Sequence, residues 1–289
     1  MQDIPELFEK GRPVFSFEFF LPKAPEDLDK LIGEVSALKS LRPDFVTLTY
    51  GAGGSGRTRT VEAVGRIQAE TGLTTACHLT CIAHTRSEIS SVLDRLSALG
   101  IRNLVALRGD APKDQPVLPP EQRDFSYAAD LVAFVKKRGG FHMAVAGYPE
   151  THPEASSPED DLARFAQKTA AGAHWAITQL FFDNKDYFAF VKRARAAGAV
   201  VPIVPGIMPV TSYAQLKRFM AMCGAKIPEE LEARLVTIQD DPEAVVREGI
   251  EWGVRQCREL LDGGAPGIHF YTLNRSRSTT EILERLRRK

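Results

Sequence analysis

Glu18 is the residue whose surroundings most demand a chemical account. It sits in the run Val14-Phe15-Ser16-Phe17-Glu18-Phe19-Phe20. Strand alternation puts Phe15, Phe17 and Phe19 on one face and Ser16, Glu18 and Phe20 on the other. Aromatic residues on both faces predict a strand buried on both sides, with Glu18 inside. Burial disfavours the carboxylate and raises its pKa. Keeping it protonated at neutral pH takes a rise of roughly 3 units, about 4 kcal/mol. A carboxyl group held that way is a poised proton donor. The alternative is a buried Glu paired with an Arg for structural reasons.

Other residues with chemical potential follow apolar runs. Arg108-Gly109-Asp110 comes after Leu104-Val-Ala-Leu107, and Gln179 is an amide within Ile177-Thr-Gln-Leu-Phe181 that needs hydrogen-bond partners. Phe270-Tyr271-Thr-Leu-Asn274-Arg275 ends in a guanidinium suited to a carboxylate. Cys77-His78-x2-Cys81-x2-His84 has the look of a metal site. Its two cysteines straddle a strand end, however, where side chains alternate faces, so no metal is expected. His78 is read instead as a hydrogen-bonding partner for a ligand. Gly51-Ala-Gly53-Gly-Ser-Gly56 matches a dinucleotide fingerprint and nearly a P-loop, with Arg57 in place of Lys. It lies in the second unit rather than the first, and the acidic residue expected at the end of the next strand is absent, since Glu70 falls at a helix end. A flexible active-site loop is the better reading.

These residues need elements to hold them. Strand-like runs begin near Val14, Phe45, Thr74, Arg102, Phe141, Trp175, Val200 and Ile268, with helical patterns between. Leu28, Leu31, Ile32, Val35 and Leu38 form an i, i+3, i+4, i+7 stripe. Thr85-Arg-Ser-Glu88 is a capping box, and Ser157-Pro158 a cap followed by proline at the first helical position. Gly72, Gly100, Gly139, Gly172, Gly198 and Gly224 terminate helices. Eight β-then-α units without a linker predict a single-domain (β/α)8 TIM barrel over residues 1–289, with an open doubly wound sheet as the runner-up. Two irregularities interrupt the repeat. Residues 111–124 lengthen the loop after strand four, and extra helices, Pro228–Val236 and Pro242–Leu261, lie between strands seven and eight. In such a barrel the loops after the strands line the catalytic face. Polar groups gather at the ends of strands one, two, three, four, six and eight.

The chain has 289 residues, 44% hydrophobic and 26% charged, with 37 Lys+Arg against 37 Asp+Glu. A net charge near zero gives no electrostatic case for nucleic acid or an anionic membrane. The longest apolar stretch, Ala199–Val210, is too short to span a bilayer and holds three prolines. No basic, apolar leader is visible, and four cysteines make no disulfide framework in a chain of this length. A soluble, cytoplasmic protein is expected. Whether it forms a homo-oligomer is left open.

Taken in order, Ser16-Phe-Glu-Phe-Phe20, Thr49-Tyr-Gly51, His78-Leu-Thr-Cys81, Ala106-Leu-Arg-Gly-Asp110, Tyr148-Pro-Glu-x-His-Pro153, Ile177-Thr-Gln179, Phe181-Phe-Asp183, Pro205-Gly-Ile207 and Phe270-Tyr-Thr-Leu-Asn-Arg275 resemble the bacterial methylenetetrahydrofolate reductase family. The resemblance runs from about Val14 to Arg275. It implies an FAD enzyme on a (β/α)8 barrel that reduces 5,10-methylenetetrahydrofolate to 5-methyltetrahydrofolate with NADH or NADPH, by ping-pong kinetics, in one-carbon metabolism and methionine synthesis. By resemblance Glu18 protonates the folate N10, and Asp110 lies beside flavin and pterin. FAD contacts carry over onto Thr49, Tyr50, Ala52, His78, Arg108, Gly109, Asp110, Tyr127, Ala128, Tyr148, His152, Ala155, Asp161 and Lys168. Folate contacts carry over onto Gln179, Gln215, Tyr271 and Arg275, and Phe219 matches the aromatic residue that stacks on nicotinamide or folate in turn.

The sequence departs from the family in three places. Gln167 stands where a basic residue usually precedes Lys168, while Arg164, on the same helix face, can restore the charge toward the FAD phosphates. The loop 111–124 is long. With the sequence ending near Lys289, allosteric control by the S-adenosylmethionine-binding regulatory domain of eukaryotic relatives is not expected. Competing readings are a methyl-transfer barrel that binds folate without reducing it, a non-catalytic folate-binding protein, and proline dehydrogenase.

Overall fold

A computed structural model describes residues 2–50, 54–110, 119 and 122–288. Its strands are β1 (Val14–Phe19), β2 (Phe45–Leu48), β3 (Thr75–Thr80), β4 (Asn103–Leu107), β5 (His142–Gly147), β6 (Trp175–Thr178), β7 (Ile203–Val204), β8 (Gly206–Ile207) and β9 (Gly267–Tyr271). Every pairing is parallel, in the order β7-β6-β5-β4-β3-β2-β1-β9-β8. The seventh strand thus differs from expectation. It begins at Ile203 rather than near Val200, and it is split at Pro205. Proline has no N–H for the ladder, so Ile203–Val204 pairs with β6 and Gly206–Ile207 pairs with β9. That break joins the two ends of the sheet and completes a nearly closed barrel.

The helices are α1 (Ile4–Leu7), α2 (Leu28–Leu38), α3 (Gly54–Thr71), α4 (Arg86–Ala98), α5 (Ala128–Arg138), α6 (Pro158–Ala170), α7 (Asn184–Ala196), α8 (Tyr213–Cys223), α9 (Glu229–Ile238), α10 (Pro242–Asp262) and α11 (Arg277–Arg287). The two extra helices expected between the last strands are α9 and α10. The Thr85 capping box forms in full at α4, and Ser157 caps α6 through the Asp160 N–H.

β1 is buried along its whole length. Phe15, Phe17 and Phe19 pack outward with Leu31, Ile32 and Val35 of α2, while Ser16 and Glu18 face inward. Fully burying each such Phe contributes about 1.5–3 kcal/mol. A second cluster, with Ile4 and Leu7 of α1 against Val14, Phe45, Val105 and Trp175, closes the N-terminal end of the barrel. The other end is therefore the one left for ligands. Among the described residues, no helix is long and apolar enough to cross a membrane, and no group of three or more His, Cys, Asp or Glu converges to hold a metal ion.

Gly249 shows how tightly the extra helices are packed. A Cβ there would fall on the carbonyl oxygen of Val210, whereas one at Gly33 of α2 would meet nothing within 4 Å. Gly249→Ala should therefore lower stability by about 1–3 kcal/mol through overpacking. Gly33→Ala should raise it by up to about 1 kcal/mol from helix propensity alone. Denaturant midpoints for the two variants test this, and equal shifts would refute the packing account.

Candidate active site

Glu18 lies next to three polar side chains from three strands. Its Oε2 is 3.1 Å from His78 Nε2 of β3 and 3.3 Å from His269 Nε2 of β9, and it accepts from Thr47 Oγ1 of β2 at 3.3 Å. His269 Nδ1 in turn meets Ser16 Oγ at 2.8 Å. The pairing register explains the convergence, because Glu18 stands opposite Thr47 on one side and Ser16 opposite His269 on the other. Glu18 is 6% exposed, His78 7% and His269 0%, so water competes little for these contacts.

The expectation of a raised Glu18 pKa is corrected here. Burial does push the carboxyl up, but His78 and His269 beside Oε2 outweigh it and hold the group below the usual carboxylate range. Glu18 Oε2 is thus the point on which the two imidazoles and the Thr47 hydroxyl converge. The structural alternative of an Arg partner is not what the chain builds. Ser16, Thr47 and His269 complete this cluster, and sequence reasoning did not assign them to the site. His269 alternates with Tyr271 along the last strand, which in a closed barrel lies beside β1, and that spacing was the available signal.

The backbone around Glu18 is pinned from the same side. Thr272 donates to the Glu18 carbonyl through both its N–H (3.2 Å) and its hydroxyl (2.6 Å). Asn274 accepts from the Phe20 N–H at 2.8 Å and donates to the Phe20 carbonyl at 2.9 Å. Leu273 and Asn274 both adopt left-handed backbone, with φ of 52° and 55°, to bring that amide into place.

The residues matched to a cofactor ring the strand ends. Thr49 follows β2 and accepts from the Leu21 N–H at 3.2 Å, and the Tyr50 hydroxyl lies 3.2 Å from His84 Nε2. Arg108 follows β4, paired with Glu154 at 2.6 Å, and Asp110 is exposed just beyond. Gly109 between them has φ +82°, and a Cβ would sit 2.8 Å from Thr80 Cβ, so only glycine fits there. Tyr127 precedes Ala128, the first residue of α5, and the Arg164 guanidinium lies 4.0 Å over its ring. Tyr148 packs edge-on against His152 at 4.5 Å, and Asp161 accepts from the His152 N–H at 3.1 Å. The His152 carbonyl accepts from the Ala155 N–H at 2.9 Å. Burial pushes the Tyr148 phenol up, with Asp161 and Asp110 adding to it, and pushes the His152 imidazole down.

Lys168 donates to the Ala146 carbonyl at 2.6 Å, and burial pushes its ammonium down to about 8. Lys168, Arg164 and Arg108 give this rim a cationic donor set. Together with the exposed Tyr127 ring and the side-chain-free Gly109, they fit a flat, doubly phosphorylated cofactor. Ala52 and most of the 111–124 loop lie outside the described residues.

The residues matched to substrate sit across the barrel. Gln179 turns its Oε1 back to the Leu180 N–H at 2.9 Å. Gln215 opens α8 with its N–H on Ser212 Oγ at 3.4 Å, and Phe219 lies one turn further along, half-buried. Tyr271 donates to the Thr178 carbonyl at 2.7 Å, and burial, the Glu18 charge and Tyr148 all push its phenol well up. Arg275 lines a cavity of about 290 Å³ with Pro209, Thr211, Tyr271 and Leu273. The cysteine pattern has another use. Cys81 Sγ contacts the Tyr127 carbonyl at 3.7 Å, and burial pushes both Cys77 and Cys81 up to about 12.

The family model described as methylenetetrahydrofolate reductase matches residues 3–287. The 5,10-methylenetetrahydrofolate reductase of Pectobacterium carotovorum subsp. carotovorum is 39% identical over 285 residues, covering 99% of this chain and 93% of that protein. Methylenetetrahydrofolate reductase (NADH) 1 of Arabidopsis thaliana is 38% identical over 294 residues, covering 98% of this chain and 50% of that one. The chain thus spans about half the length of the plant relatives it matches. Among solved structures, an uncharacterized Clostridium thermocellum protein that binds two copies of 5-methyl-5,6,7,8-tetrahydrofolic acid superposes with a TM-score of 0.64 at 15% identity, over 96% of this chain and 95% of that one. At that identity the likeness concerns the fold.

Proposed function

Because the chain belongs to the methylenetetrahydrofolate reductase family, we propose that it reduces 5,10-methylenetetrahydrofolate to 5-methyltetrahydrofolate in the cytoplasm, with bound FAD and with NADH or NADPH as electron donor. That reaction serves one-carbon metabolism and supplies the methyl group for methionine synthesis. The observation that carries the reading is the buried Glu18 with His78, His269 and Thr47 on a single carboxylate oxygen, at the open end of the barrel.

When bound, FAD would take up the two electrons of the nicotinamide's hydride and relay them to the folate. Lys168, Arg164 and Arg108 would hold its phosphates by charge-assisted hydrogen bonds, and Tyr127 and Tyr148 would line its site. Thr49, Tyr50, Ala52, Gly109, Ala128, His152, Ala155 and Asp161 complete the contacts. Gln179 and Gln215 hydrogen-bond the pterin, Arg275 takes the glutamate carboxylate, and Phe219 stacks on whichever substrate is present. One pocket serving both substrates in turn accounts for ping-pong kinetics.

Glu18 moves the proton. The opening of the folate's five-membered ring requires protonation at N10, and Glu18, with His78 and His269 beside its Oε2, delivers that proton. Asp110 places a negative charge where the opened ring becomes a cationic iminium. Tyr271, kept protonated by burial, orients the substrate against β6.

The test is a visible absorption spectrum of the purified protein, followed by anaerobic titration with NADH, NADPH and the folate separately. Denaturation should release the flavin into the filtrate. Flavin that stays attached to the chain, a protein colourless after reconstitution, or a bound flavin that methylenetetrahydrofolate cannot reoxidise would overturn the proposal.

The altered phosphate helix gives a narrower expectation. Arg164→Ala should weaken FAD retention by about 1–2 kcal/mol, the worth of one charge-assisted hydrogen bond. Gln167, exposed on the same helix, should be near neutral as Ala. Equal effects in a flavin-retention assay would remove the compensation between Arg164 and the missing basic residue.

A further inference from the structure

Between Tyr148 and His152 the chain does something costly. Thr151, a β-branched residue, has φ +96°, a conformation that L side chains rarely adopt and that surrounding structure must enforce. The residue just before it, Glu150, turns away from the cofactor rim. Its Oε1 accepts from the backbone N–H of Lys226 at 3.0 Å, and its Oε2 is buried without a hydrogen-bond partner. Lys226 lies in the segment that leaves α8. Gly224, the left-handed C-cap of α8 with φ +69°, also approaches this loop, since a Cβ there would stand 3.2 Å from Pro153 Cγ. From the other side, Arg193 of α7 donates to the Pro149 carbonyl at 3.4 Å. The loop after β5 and the end of α8 are therefore fastened to each other, and the strained turn sets the point of attachment.

We propose that Glu150 is a positioning residue that fixes the C-terminal end of α8 against the cofactor loop, and so sets the height of Gln215 and Phe219 over the flavin side of the pocket. The inference rests on the proposed function for what those two side chains touch, but not for the fastening itself. The Lys226 N–H donates the connecting hydrogen bond to Glu150 Oε1, and Oε2 is buried beside it. Removing the acceptor frees α8 at the end nearest the cofactor loop. Because both substrates meet the same helix, both should be affected together.

The experiment compares Glu150→Ala and Glu150→Gln with wild type, in the flavin-loaded protein. Gln keeps the acceptor for the Lys226 N–H and should remain within about twofold of wild type in every assay. In Glu150→Ala, KM for NADH and for methylenetetrahydrofolate should each rise about 10–100-fold, the equivalent of one lost hydrogen bond to a charged acceptor, with kcat and flavin retention changed less than about threefold. Amide hydrogen exchange over residues 213–226 should accelerate at least about tenfold, while exchange over 158–170 stays unchanged, as expected for local and not global opening. The exchange measurement needs no turnover, so it reports on the fastening even if the wild type fails to reduce folate, an outcome that would count against the proposed function alone. Unchanged exchange over 213–226, a rise in KM for one substrate only, or a Gln variant as damaged as the Ala variant would each overturn the role of Glu150.

Discussion

Glu18→Gln should slow the folate half-reaction by roughly 10²–10⁴-fold, the usual worth of general-acid assistance, and leave flavin reduction by NADH or NADPH within several-fold of wild type. The substitution keeps the side chain's shape and lets Thr47 and His269 still donate to its carbonyl oxygen. What it removes is the ability to take up a proton and give it to the folate. Hydride transfer from nicotinamide requires no such step, whereas opening the folate ring does. Rapid-mixing absorbance of the flavin, followed in each direction, separates the two. Equal slowing of both would make Glu18 a structural residue whose loss disturbs the flavin pocket. No slowing of either would hand the proton to another acid, with Asp110 the first suspect.

This expectation has changed its physical basis between sequence and structure, and the change shows what a sequence can carry. Phe15, Phe17 and Phe19 alternate with Ser16 and Glu18, and that pattern alone places the carboxyl inside the barrel. The Thr85 capping box, the Ser157 cap and the stripe on α2 are equally local, and all form as read. The protonation state of Glu18 is not local. It depends on His78 from the third strand and His269 from the last, residues separated from it by 60 and 251 positions, brought to one oxygen by register and closure. Composition supplied the burial that raises the pKa but not the imidazoles that lower it. The short α1 escaped for a related reason, since four residues are too few to show a helical period. Strand seven was placed too early because Val200 and Val201 read as strand, while pairing begins only at Ile203 and breaks at Pro205.

Lys168 gives the second large effect, as a dependence of FAD affinity on pH. In the free protein burial has pushed its ammonium down to about 8, against the opposing pull of Asp161. A bound pyrophosphate favours the charged form and must raise that value. The sign follows directly. Below about pH 8 the ammonium is already present and affinity is flat. Above it, binding must take up a proton, so affinity falls by up to about tenfold per pH unit until the bound-state pKa is reached. The neighbouring groups do not produce the same window. Burial pushes the Tyr148 phenol up and the His152 imidazole down, both away from this window. Guanidinium groups as a class do not titrate in this range. Quenching of flavin fluorescence, titrated into the apo-protein from pH 6.5 to 9.5, reads the slope. Lys168→Met should bind FAD more weakly at neutral pH and lose the fall above pH 8, because no proton is then taken up. A wild-type affinity that stays level across this range would mean that Lys168 does not meet the phosphates. A slope that survives in Lys168→Met would assign the proton to a different group.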